Sequence, residues 1–314
     1  MNLSVIICTH NRAGCLWQTL QSISDIKILP NLKWELIVVD NNSNDQTPEV
    51  CRNARQRLPL KYIFEKHQGK GYALNKGVSC SKGELIAFTD DDVDVDPLWV
   101  AELCVGSQRY LEASIFGGPV KPRWEVMPPV WLIKHSKNLL GSIAVHYEIN
   151  SNDEWLRGED IPFVGANMAV RRDVFEKGAR FTTLIGPCGE KTAPGEDSLF
   201  IKELLTKQYR AIYISKAIVY HRNGCERMTE KYLRQWYVGA GISSVRLGQV
   251  AVSQNTLFGA PRYLWRNLLM STLKYLLTRW IRSSDLWIKA EICMATTWGR
   301  ILEFRRKSRS LKSY

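Results

Sequence analysis

The stretch Leu85-Ile86-Ala87-Phe88-Thr89-Asp90-Asp91-Asp92 joins an apolar run directly to three consecutive carboxylates. The run predicts a buried strand, and the carboxylates then lie at its carboxyl end, where open α/β sheets bind their ligands. Carboxylates this close repel one another unless a cation lies among them. Their hard oxygens suit Mg²⁺ or Mn²⁺, and Mg²⁺ also binds substrate phosphates. The stretch therefore predicts a site for a metal and a diphosphate, and a solvated acidic loop is the alternative.

Short apolar runs alternate with segments of helical periodicity before this stretch. The runs predicted as strands are Leu3–Cys8, Trp34–Asp40, Leu60–Glu65 and Glu84–Thr89. The segments predicted as helices are Asn11–Ile23, Thr47–Leu58 and Gly69–Ser79. Strands and helices that alternate with short loops indicate a parallel sheet with helices on both faces, which is a nucleotide-binding architecture.

The chain becomes less regular after Pro97. Residues 119–160 carry four prolines and three tryptophans, and a long aromatic segment of this kind is often a binding loop. Beyond it, Phe163–Val170 is predicted as a strand and Ser198–Leu205 as a helix. A polar loop that carries Glu196-Asp197 is predicted directly before that helix.

The composition is that of a globular protein, with 314 residues and 45% apolar content. None of the eight cysteines forms a C-x-x-C pair, which argues against zinc ribbons and redox dithiols and favours a reducing, cytoplasmic compartment. The apolar run Leu3–Cys8 begins too abruptly for a signal peptide. No stretch of about 18 uncharged apolar residues predicts a membrane-spanning helix.

The net charge of +12 lies entirely in the last quarter of the chain. Residues 1–226 carry 27 Lys/Arg and 27 Asp/Glu, whereas residues 227–314 carry 16 Lys/Arg and four Asp/Glu. This asymmetry predicts a domain boundary near residue 226 and a basic element that contacts a partner.

Apolar residues recur at helical spacing between positions 257 and 281 of this basic tail. Arg262, Arg266 and Lys274 are expected to form a separate stripe, so the pattern predicts an amphipathic helix with an apolar and a cationic face. Such a helix fits the surface of an anionic membrane. A helical cap on the preceding domain is the alternative.

A series of short motifs runs through the first 225 residues. They are Thr9-His10-Asn11-Arg12, Asp40, Gly69–Gly77, Asp90-Asp91-Asp92, Gly165-Ala166-Asn167, Gly195-Glu196-Asp197 and Val219-Tyr220-His221. In this order the motifs resemble those of family 2 glycosyltransferases with the GT-A fold. The resemblance implies an α/β fold with a Rossmann-like mixed sheet flanked by helices and a C-terminal helical extension. Its catalytic domain would comprise a nucleotide-binding half (about 1–97) and an acceptor half (about 98–226), followed by the helical tail 227–314.

The resemblance implies that a nucleotide sugar donor binds at the ends of the first strands. The implied donor-binding residues are Thr9, Asn11, Arg12, Asp40, Lys70, Asn75, Asp90 and Asp91. Asp40 would accept a hydrogen bond from the uracil ring. Taken alone, Asn11 also fits a helix N-cap, Asp40 a turn and Lys70 a solvated surface. Asp94 and Asp96 are expected to be surface carboxylates.

The resemblance also implies a divalent cation, Mn²⁺ or Mg²⁺. Asp92 would be its ligand, His221 would complete its shell, and Asp90 would contact the ribose or a metal-bound water. The cation would stabilise the negative charge that develops on the departing diphosphate. A lone histidine is more often structural, which is the alternative for His221.

On the acceptor side, the resemblance makes Asp197 the general base with Glu196 beside it, and Gly165, Ala166 and Asn167 the lining of the sugar and acceptor pocket. One base and one metal imply a single displacement with inversion. Two acids near a helix start also fit helix capping. The Q/R-x-x-R-W motif of processive members is matched only loosely around Trp236, so transfer of a single sugar is expected.

The sequence thus predicts an inverting, metal-dependent transferase that uses a UDP-linked sugar and a glycan or lipid-linked acceptor of a polysaccharide. It would be cytoplasmic, on the inner face of the cell membrane. A nucleotidyltransferase is the first alternative, but it would carry a Gly-rich basic loop where Thr9–Arg12 stands. A nucleic-acid-binding module is the second, but it would place aromatic residues among basic ones. No nucleic acid partner is expected.

Overall fold

The computed structural model describes residues 2–134, 139, 146–157, 163–187, 193–281 and 284–310. Packing divides the chain into two compact units, each made of three segments. The sheet unit comprises Met1–Glu125, Ala144–Thr183 and Glu196–Asn223. The helical unit comprises Val126–Ile143, Leu184–Gly195 and Gly224–Tyr314.

The described part of the sheet unit contains a mixed eight-stranded sheet. Its strands are β1 (Leu3–Thr9), β2 (Trp34–Asp40), β3 (Leu60–Phe64), β4 (Leu85–Thr89), β6 (Ile115–Gly117), β8 (Glu154–Trp155), β9 (Met168–Arg171) and β10 (Ala211–Tyr213), in the order β3-β2-β1-β4-β9-β6-β10-β8. Strand β1 pairs in parallel with β2 and with β4, and β2 pairs in parallel with β3. Strand β9 runs antiparallel to both β4 and β6. Strands β1 and β4 are almost wholly buried, as expected for parallel strands covered on both faces.

A second sheet, of three strands, places the strand that contains His221 beside the acidic stretch Asp90-Asp91-Asp92. It consists of β5 (Val93–Val95), β7 (Val120–Trp124) and β11 (Val219–Asn223). In the antiparallel pair formed by β5 and β11, His221 lies opposite Val93. The pairing therefore brings His221 beside the carboxylates that precede β5.

The helices predicted before residue 80 are confirmed with shifted ends. The helices up to residue 206 are α1 (Ala13–Ser24), α2 (Thr47–Ala54), α3 (Lys70–Cys80), α4 (Trp99–Arg109), α5 (Val130–Lys134, in the helical unit), α6 (Arg172–Glu176) and α7 (Glu196–Thr206). In α1 the buried residues include Leu16, Leu20 and Ile23, the spacing of one helical face. Helix α2 ends at Ala54, before the predicted Leu58, and Pro59 disfavours helical backbone at Leu58 itself.

Two backbone features position later site residues. Helix α7 begins at Glu196, so the prediction that Glu196 and Asp197 lie in a loop before the helix is wrong. The preceding Gly195 has φ +111, a conformation that glycine adopts without strain. Near the start of α3, a Cβ on Gly71 would overlap the carbonyl oxygen of Thr182, so this close approach requires glycine.

The irregular segment 119–160 contains β7, α5 and β8 in its described part, whereas residues 135–138, 140–145 and 158–160 lie outside the described residues. Trp155 packs edge-on against Tyr110, and the Arg210 guanidinium lies 4.0 Å from its ring centroid. This tryptophan therefore stabilises the end of the sheet. A binding role for the rest of the segment stays a prediction.

The helical unit is built around three long helices: α8 (Glu230–Arg246), α9 (Arg262–Trp280) and α10 (Ser284–Ser310). Helix α10 packs against both α8 and α9. A Cβ on Gly241 of α8 would overlap the carbonyl oxygen of Thr296, and one on Gly299 of α10 would overlap that of Val238. The backbones of α8 and α10 therefore approach so closely that only glycine fits at these two positions.

The predicted amphipathic segment 257–281 differs from the prediction at its start. A short hairpin of β12 (Thr256–Leu257) and β13 (Ala260–Pro261) precedes α9. The two turn residues, Phe258 (φ +49) and Gly259 (φ +80), both have positive φ, as in the hairpin turns that fit the twist of strands. The helix consequently begins only at Arg262.

The two faces of α9 are also arranged differently from the prediction. Its buried residues are Leu264, Ser271 and Thr278, and the apolar residues at the other positions of the last three turns are mostly exposed. Arg262 and Arg266 precede Leu273 by eleven and seven residues, spacings that put them on its face of a helix. The predicted separate cationic stripe is therefore wrong. No helix among the described residues combines the length and apolar content of a membrane crossing.

Candidate active site

The polar residues predicted to bind the donor lie at the carboxyl ends of adjacent strands. Thr9 ends β1, Asp40 ends β2, and Asp90 follows β4 directly. The Thr9 hydroxyl donates to Oδ2 of Asp91 at 2.7 Å. Because β1 lies between β2 and β4, these side chains share one edge of the sheet, where such sheets bind ligands.

Arg12 connects two of the three consecutive carboxylates. Its Nη1 donates to Oδ1 of Asp91 at 2.7 Å, and its Nη2 donates to Oδ2 of Asp92 at 2.8 Å. Burial opposes the charge on Arg12, but Asp92 and Asp91 raise the pKa of its guanidinium above the ordinary value. Burial in turn raises the pKa of Asp91, and Arg12 opposes that rise. The guanidinium thus compensates carboxylates that would otherwise repel one another.

Asp90, Asp92 and His221 form a candidate metal centre, since one ligand atom from each lies within 4.8 Å of the others. The Nδ1 atom of His221 lies 3.0 Å from the backbone oxygen of Arg222. A carbonyl oxygen can only accept, so Nδ1 carries the proton of this hydrogen bond. Nε2 of a neutral His221 then directs its lone pair at Oδ1 of Asp92, 3.2 Å away.

That arrangement is favourable only if a cation lies between the two atoms or if the two atoms share a proton. Two carboxylates and one imidazole are ligands that Mn²⁺ accepts, and Mg²⁺ accepts the carboxylates. Orientation of a histidine by a backbone carbonyl on its other nitrogen is also the usual arrangement of metal-binding histidines. The residues present therefore fit a divalent cation held by Asp92 and His221, with Asp90 adjacent.

Lys70 at the start of α3 lies between the donor side and the acceptor side. Its Nζ is 2.8 Å from Oδ1 of Asp90 and 3.5 Å from Oε1 of Glu196, and its side chain is 21% exposed. Burial alone would lower the pKa of Lys70, but the carboxylates of Asp90 and Glu196 raise it well above the ordinary value. The alternative of a solvated surface lysine is therefore wrong, and a contact of Lys70 with the donor stays a prediction.

The first turn of α7 presents two carboxylates in different environments. Oδ2 of Asp197 accepts from the backbone N–H of Gly165 at 2.5 Å, and Oδ1 accepts from the N–H of Ser198 at 2.7 Å. Gly165 allows this contact because a Cβ there would crowd the carboxylate. Glu196 is buried, and burial raises its pKa to about 7 despite the nearby charge of Lys70. Asp197 is thus oriented by backbone amides, whereas Glu196 faces a cation.

A model of the family described as "Glycosyl transferase family 2" matches residues 4–178. The chain belongs to glycosyl transferase family 2. This confirms the resemblance predicted from the motifs, and with it the transferase class.

Two curated proteins are similar in sequence to this family 2 chain. The succinoglycan biosynthesis protein ExoM of Rhizobium meliloti is 26% identical over 64% of this chain and 60% of that protein. The glucosyl-dolichyl phosphate glucuronosyltransferase of Haloferax volcanii is 24% identical over 71% of this chain and 69% of that protein. The chain therefore spans less than two thirds of the length of ExoM.

Solved structures support the fold of the family 2 chain. The mannosyltransferase PcManGT from Pyrobaculum calidifontis, in complex with GDP-Man and Mn²⁺, is 17% identical with a TM-score of 0.56 over 99% of this chain and 75% of that chain. S. aureus TarS 1-349 in complex with UDP-GlcNAc is 15% identical with a TM-score of 0.55 over 100% of this chain and 92% of that chain. Together with the family match, they confirm the predicted GT-A fold.

Several predicted donor and acceptor residues of the family 2 site are held by the protein itself. Asp40 is fully buried and accepts from the N–H of Ser43 and the hydroxyl of Tyr62 at 2.8 and 2.7 Å. This is the turn that was the alternative for Asp40, and a contact of its carboxylate with uracil stays a prediction. Asn75 exchanges two hydrogen bonds with the backbone of Phe181, which fixes α3 to the chain before Thr182.

Asn167 has a similar position inside the fold. It is fully buried, its Oδ1 accepts from the indole of Trp99, and its amide donates to the carbonyl oxygens of Pro119 and Ala217. It therefore stabilises the 3₁₀ turn Gly165–Asn167. Ala166 is buried in the same turn, and contact of Gly165 and Ala166 with a sugar stays a prediction.

Asn11 connects two loops at the donor edge. Its Oδ1 accepts from the N–H of Asn44, and its own N–H donates to Ser43 Oγ. The N–H of Ala13 at the start of α1 instead donates to Asp45. The N-cap alternative for Asn11 is therefore wrong, and its side chain holds the loop after β2 against the loop after β1.

Arg222, which no sequence motif singled out, holds the acidic stretch in place. Arg222 is 9% exposed. Its guanidinium donates to Asp94 Oδ1 and Thr19 Oγ1 and to the carbonyl oxygens of Cys15, Asp91 and Val93. The expectation that Asp94 is a surface carboxylate is therefore wrong. A signal existed, because an arginine directly after a predicted metal-ligating histidine in a buried strand requires an acidic partner.

Proposed function

We propose that this family 2 chain is a metal-dependent, inverting glycosyltransferase that moves a single sugar from a UDP-sugar to a hydroxyl of a glycan or lipid-linked acceptor. The observation that carries the proposal is the His221–Asp92 contact. Its two facing acceptor atoms, 3.2 Å apart, require a cation or a proton, and Asp90 lies close enough to join them.

On the donor side, Asp92 and His221 would hold Mn²⁺ or Mg²⁺ beside Asp90. When bound, the cation would supply stabilisation of the negative charge on the departing diphosphate. Arg12 and Lys70 add two further positive charges at the same carboxylates. Both would be available to a diphosphate once a metal compensates the acids. The Mn²⁺ bound with GDP-Man in the PcManGT structure supports a metal.

On the acceptor side, Asp197 would accept the proton of the attacking hydroxyl. The two backbone N–H groups that bind its carboxylate fix the direction of its oxygens. A general base takes the proton as the new bond forms, so its oxygens need a fixed orientation. One base opposite the leaving group gives a single displacement, and the anomeric centre inverts.

A uridine donor and a lipid-linked acceptor are the more specific parts of the proposal. The position of Asp40 at the end of β2 and the UDP-GlcNAc bound by TarS support uridine. The dolichyl phosphate in the name of the Haloferax relative and the succinoglycan in that of ExoM support such an acceptor. An acceptor of this kind would place the protein peripherally on the inner face of the cell membrane.

The metal can be tested by calorimetry of Mn²⁺ binding together with a donor turnover assay. Asp92→Asn should abolish both, because the cation loses a charged ligand, and EDTA should abolish turnover of the wild type. Asp96→Asn is the matched control. Asp96 accepts from the N–H of Leu98 before α4, a role that asparagine also fills. Undiminished turnover of the wild type in EDTA would rule out the metal-dependent mechanism.

A further inference from the structure

The outward face of α9 is a continuous apolar surface. It consists of Leu269, Met270, Leu273, Leu276, Leu277 and Trp280, all exposed. Trp280 is 84% exposed and Met270 is 62% exposed. Contiguous exposed apolar patches of this kind on a folded protein mark sites of interaction.

The exposure follows from the way α9 packs on α10. The inward residues Ser271 and Thr278 are small, and their hydroxyls donate to carbonyl oxygens of their own helix, those of Leu268 and Lys274. Small residues that satisfy their own polar groups allow close packing of helices. In its last three turns the helix thus packs through these small polar residues and leaves its large apolar residues outward.

The same surface carries uncompensated positive charge. Among the described residues, Arg262, Arg266 and Lys274 form no ion pair. Arg262 and Arg266 extend the apolar face toward the start of the helix, and Lys274 lies at its border.

The acids whose side chains the structure describes in the basic tail contact other cations. Residues 227–314 contain only four acidic residues, and three of them are already paired. Glu230 contacts Arg279, Glu291 contacts Arg234, and Glu303 contacts Arg246 and Arg306. The net positive charge of the tail therefore remains available to an external partner.

The hairpin before α9 adds an aromatic tip. Phe258 is 74% exposed although φ at this residue is +49, a conformation that bulky residues rarely adopt. Its ring contacts Trp265 edge-on, and the Trp265 indole donates to the Leu257 carbonyl. An exposed aromatic side chain is thus held in a strained turn beside the first turn of the helix.

We infer that the outward face of α9, with the Phe258 tip, docks the protein on an anionic lipid bilayer with the helix parallel to its surface. Apolar side chains would enter the interface, Trp280 would lie at headgroup level, and Arg262, Arg266 and Lys274 would contact anionic headgroups. The inference specifies the membrane partner of the proposed function and rests on it only for that partner.

Two other occupants of this face fit less well. A second copy in a two-fold dimer would bring its own three uncompensated cations to the same surface, where like charges repel. A soluble glycan is rich in hydroxyls and does not match six large apolar side chains. A lipid bilayer with anionic headgroups matches both the apolar and the cationic part.

Flotation of the full chain with vesicles tests the inference. At low salt the protein should float with vesicles that contain about 30 mol% phosphatidylglycerol, and binding should weaken with salt and with pure phosphatidylcholine. Leu273→Glu combined with Leu277→Glu should reduce the partition coefficient at least about tenfold. The matched control is Leu98→Glu combined with Leu111→Glu, at exposed leucines of the sheet unit, which should leave binding unchanged.

A second set of variants separates charge from apolar contact. Arg262→Gln, Arg266→Gln and Lys274→Gln together should abolish the salt-sensitive part of binding. The matched set is Lys33→Gln, Arg52→Gln and Lys82→Gln, exposed residues of the sheet unit, and it should have little effect. Equal binding by the two sets, or a wild type that ignores anionic vesicles, would overturn the inference.

Two further measurements keep the result unambiguous. Light scattering that shows a dimer abolished by Leu273→Glu, without binding to vesicles, would assign the face to a second copy and overturn the inference. Donor turnover in the absence of vesicles should be the same for wild type and Leu273→Glu. Absent turnover with intact vesicle binding would contradict the proposed function and leave the docking surface standing.

Discussion

The sheet unit and the helical unit use their apolar residues in opposite ways. In the sheet unit, β1, β2 and β4 bury theirs in one continuous core, and the charged residues converge at one edge. In the helical unit, α9 buries Leu264 and two small polar residues and exposes the leucines of its last three turns. Helix α10 packs on α8 through glycine contacts and the buried carboxylates of Glu291 and Glu303.

The two units therefore differ in how much of their apolar surface the fold itself buries. The fold of the sheet unit follows from its own interior, since burial of apolar strands supplies the stability and leaves the edge free for polar chemistry. The packing of the helical unit accounts for α8 and α10 but not for the outward face of α9. An apolar surface that the fold does not bury indicates an environment outside the chain.

The largest expected effect tests the polar edge of the sheet unit. Asp197→Asn should lower the rate of the chemical step by about three orders of magnitude or more, because the acceptor hydroxyl loses its base. Donor affinity should stay near the wild-type value. Single-turnover kinetics with pre-bound donor measure the first quantity and calorimetry the second. Glu49→Gln, at an exposed acid in the first turn of α2, is the control.

Loss of donor affinity with unchanged turnover of bound donor would move Asp197 to the donor side. The edge would then contain no base for the acceptor among the residues proposed for that role. The residue that acts as the base would then have to be sought in the geometry around Glu196.

A smaller effect is expected when the support of the metal centre is weakened. Arg222→Met should lower Mn²⁺ affinity by about 10- to 100-fold, as loss of supporting contacts around a metal site usually does. Arg222→Lys keeps the charge but cannot reach all the acceptors, so its Mn²⁺ affinity should be intermediate. Arg123→Met is the control, because Arg123 also contacts Asp94 but its side chain is 65% exposed. Calorimetry of Mn²⁺ binding and the melting temperature of each variant are measured together.

If Arg222→Met lowered the melting temperature but bound Mn²⁺ normally, Arg222 would serve only the stability of the sheet unit. The acidic stretch would then keep its shape through Thr19, which also donates to the carbonyl oxygens of Asp91 and Val93.

The sequence predicted the sheet unit in detail because its signals are local. An apolar run that ends in a carboxylate fixes both a strand and the position of its polar end, as Trp34–Asp40 and Leu85–Asp92 do. Pairings across the chain were not predictable in this way. The contacts of Arg222 and Lys70 depend on which strands and helices become neighbours, and no spacing along the chain encodes that.

The helical unit was predicted less well for a different physical reason. Helical periodicity shows which residues of α9 share a face, but it does not show which face packs. In the last three turns the face that packs is the one with Ser271 and Thr278, whose hydroxyls donate to carbonyl oxygens of their own helix. The hairpin is not apparent from the periodicity, because Gly259 and Pro261, which favour a turn before a helix, lie within the periodic segment.

The same substitution at two glycines should have opposite effects on stability. Gly241→Ala should lower the free energy of unfolding by about 1 to 3 kcal/mol, because its Cβ would overlap the Thr296 carbonyl. Gly14→Ala on α1 should raise it by roughly 0.5 to 1 kcal/mol, since nothing lies within 4 Å of the new atom. Urea unfolding measures both. Equal effects would mean that close contact between α8 and α10 does not hold the helical unit together.

The smallest expected effect concerns the strained turn at the tip of the hairpin. Phe258→Asn should relieve the strain of a positive φ by roughly 0.5 to 1 kcal/mol, because asparagine before glycine suits this turn. The substitution also removes the edge-on contact between the Phe258 ring and Trp265, and the loss of this contact costs a similar free energy. The free energy of unfolding should therefore change little, whereas binding to anionic vesicles should weaken.

Gln208 supplies the matched position in the sheet unit, since it is exposed and has φ +65. Gln208→Asn removes strain without removing an aromatic contact, so it should raise the free energy of unfolding in urea by a few tenths of a kcal/mol up to about 1. It should leave vesicle binding unchanged. A Phe258→Asn protein that floats with anionic vesicles as well as wild type would show that the tip does not enter the lipid. The strained turn would then affect only the hairpin itself, and the docking surface would consist of the outward face of α9 alone.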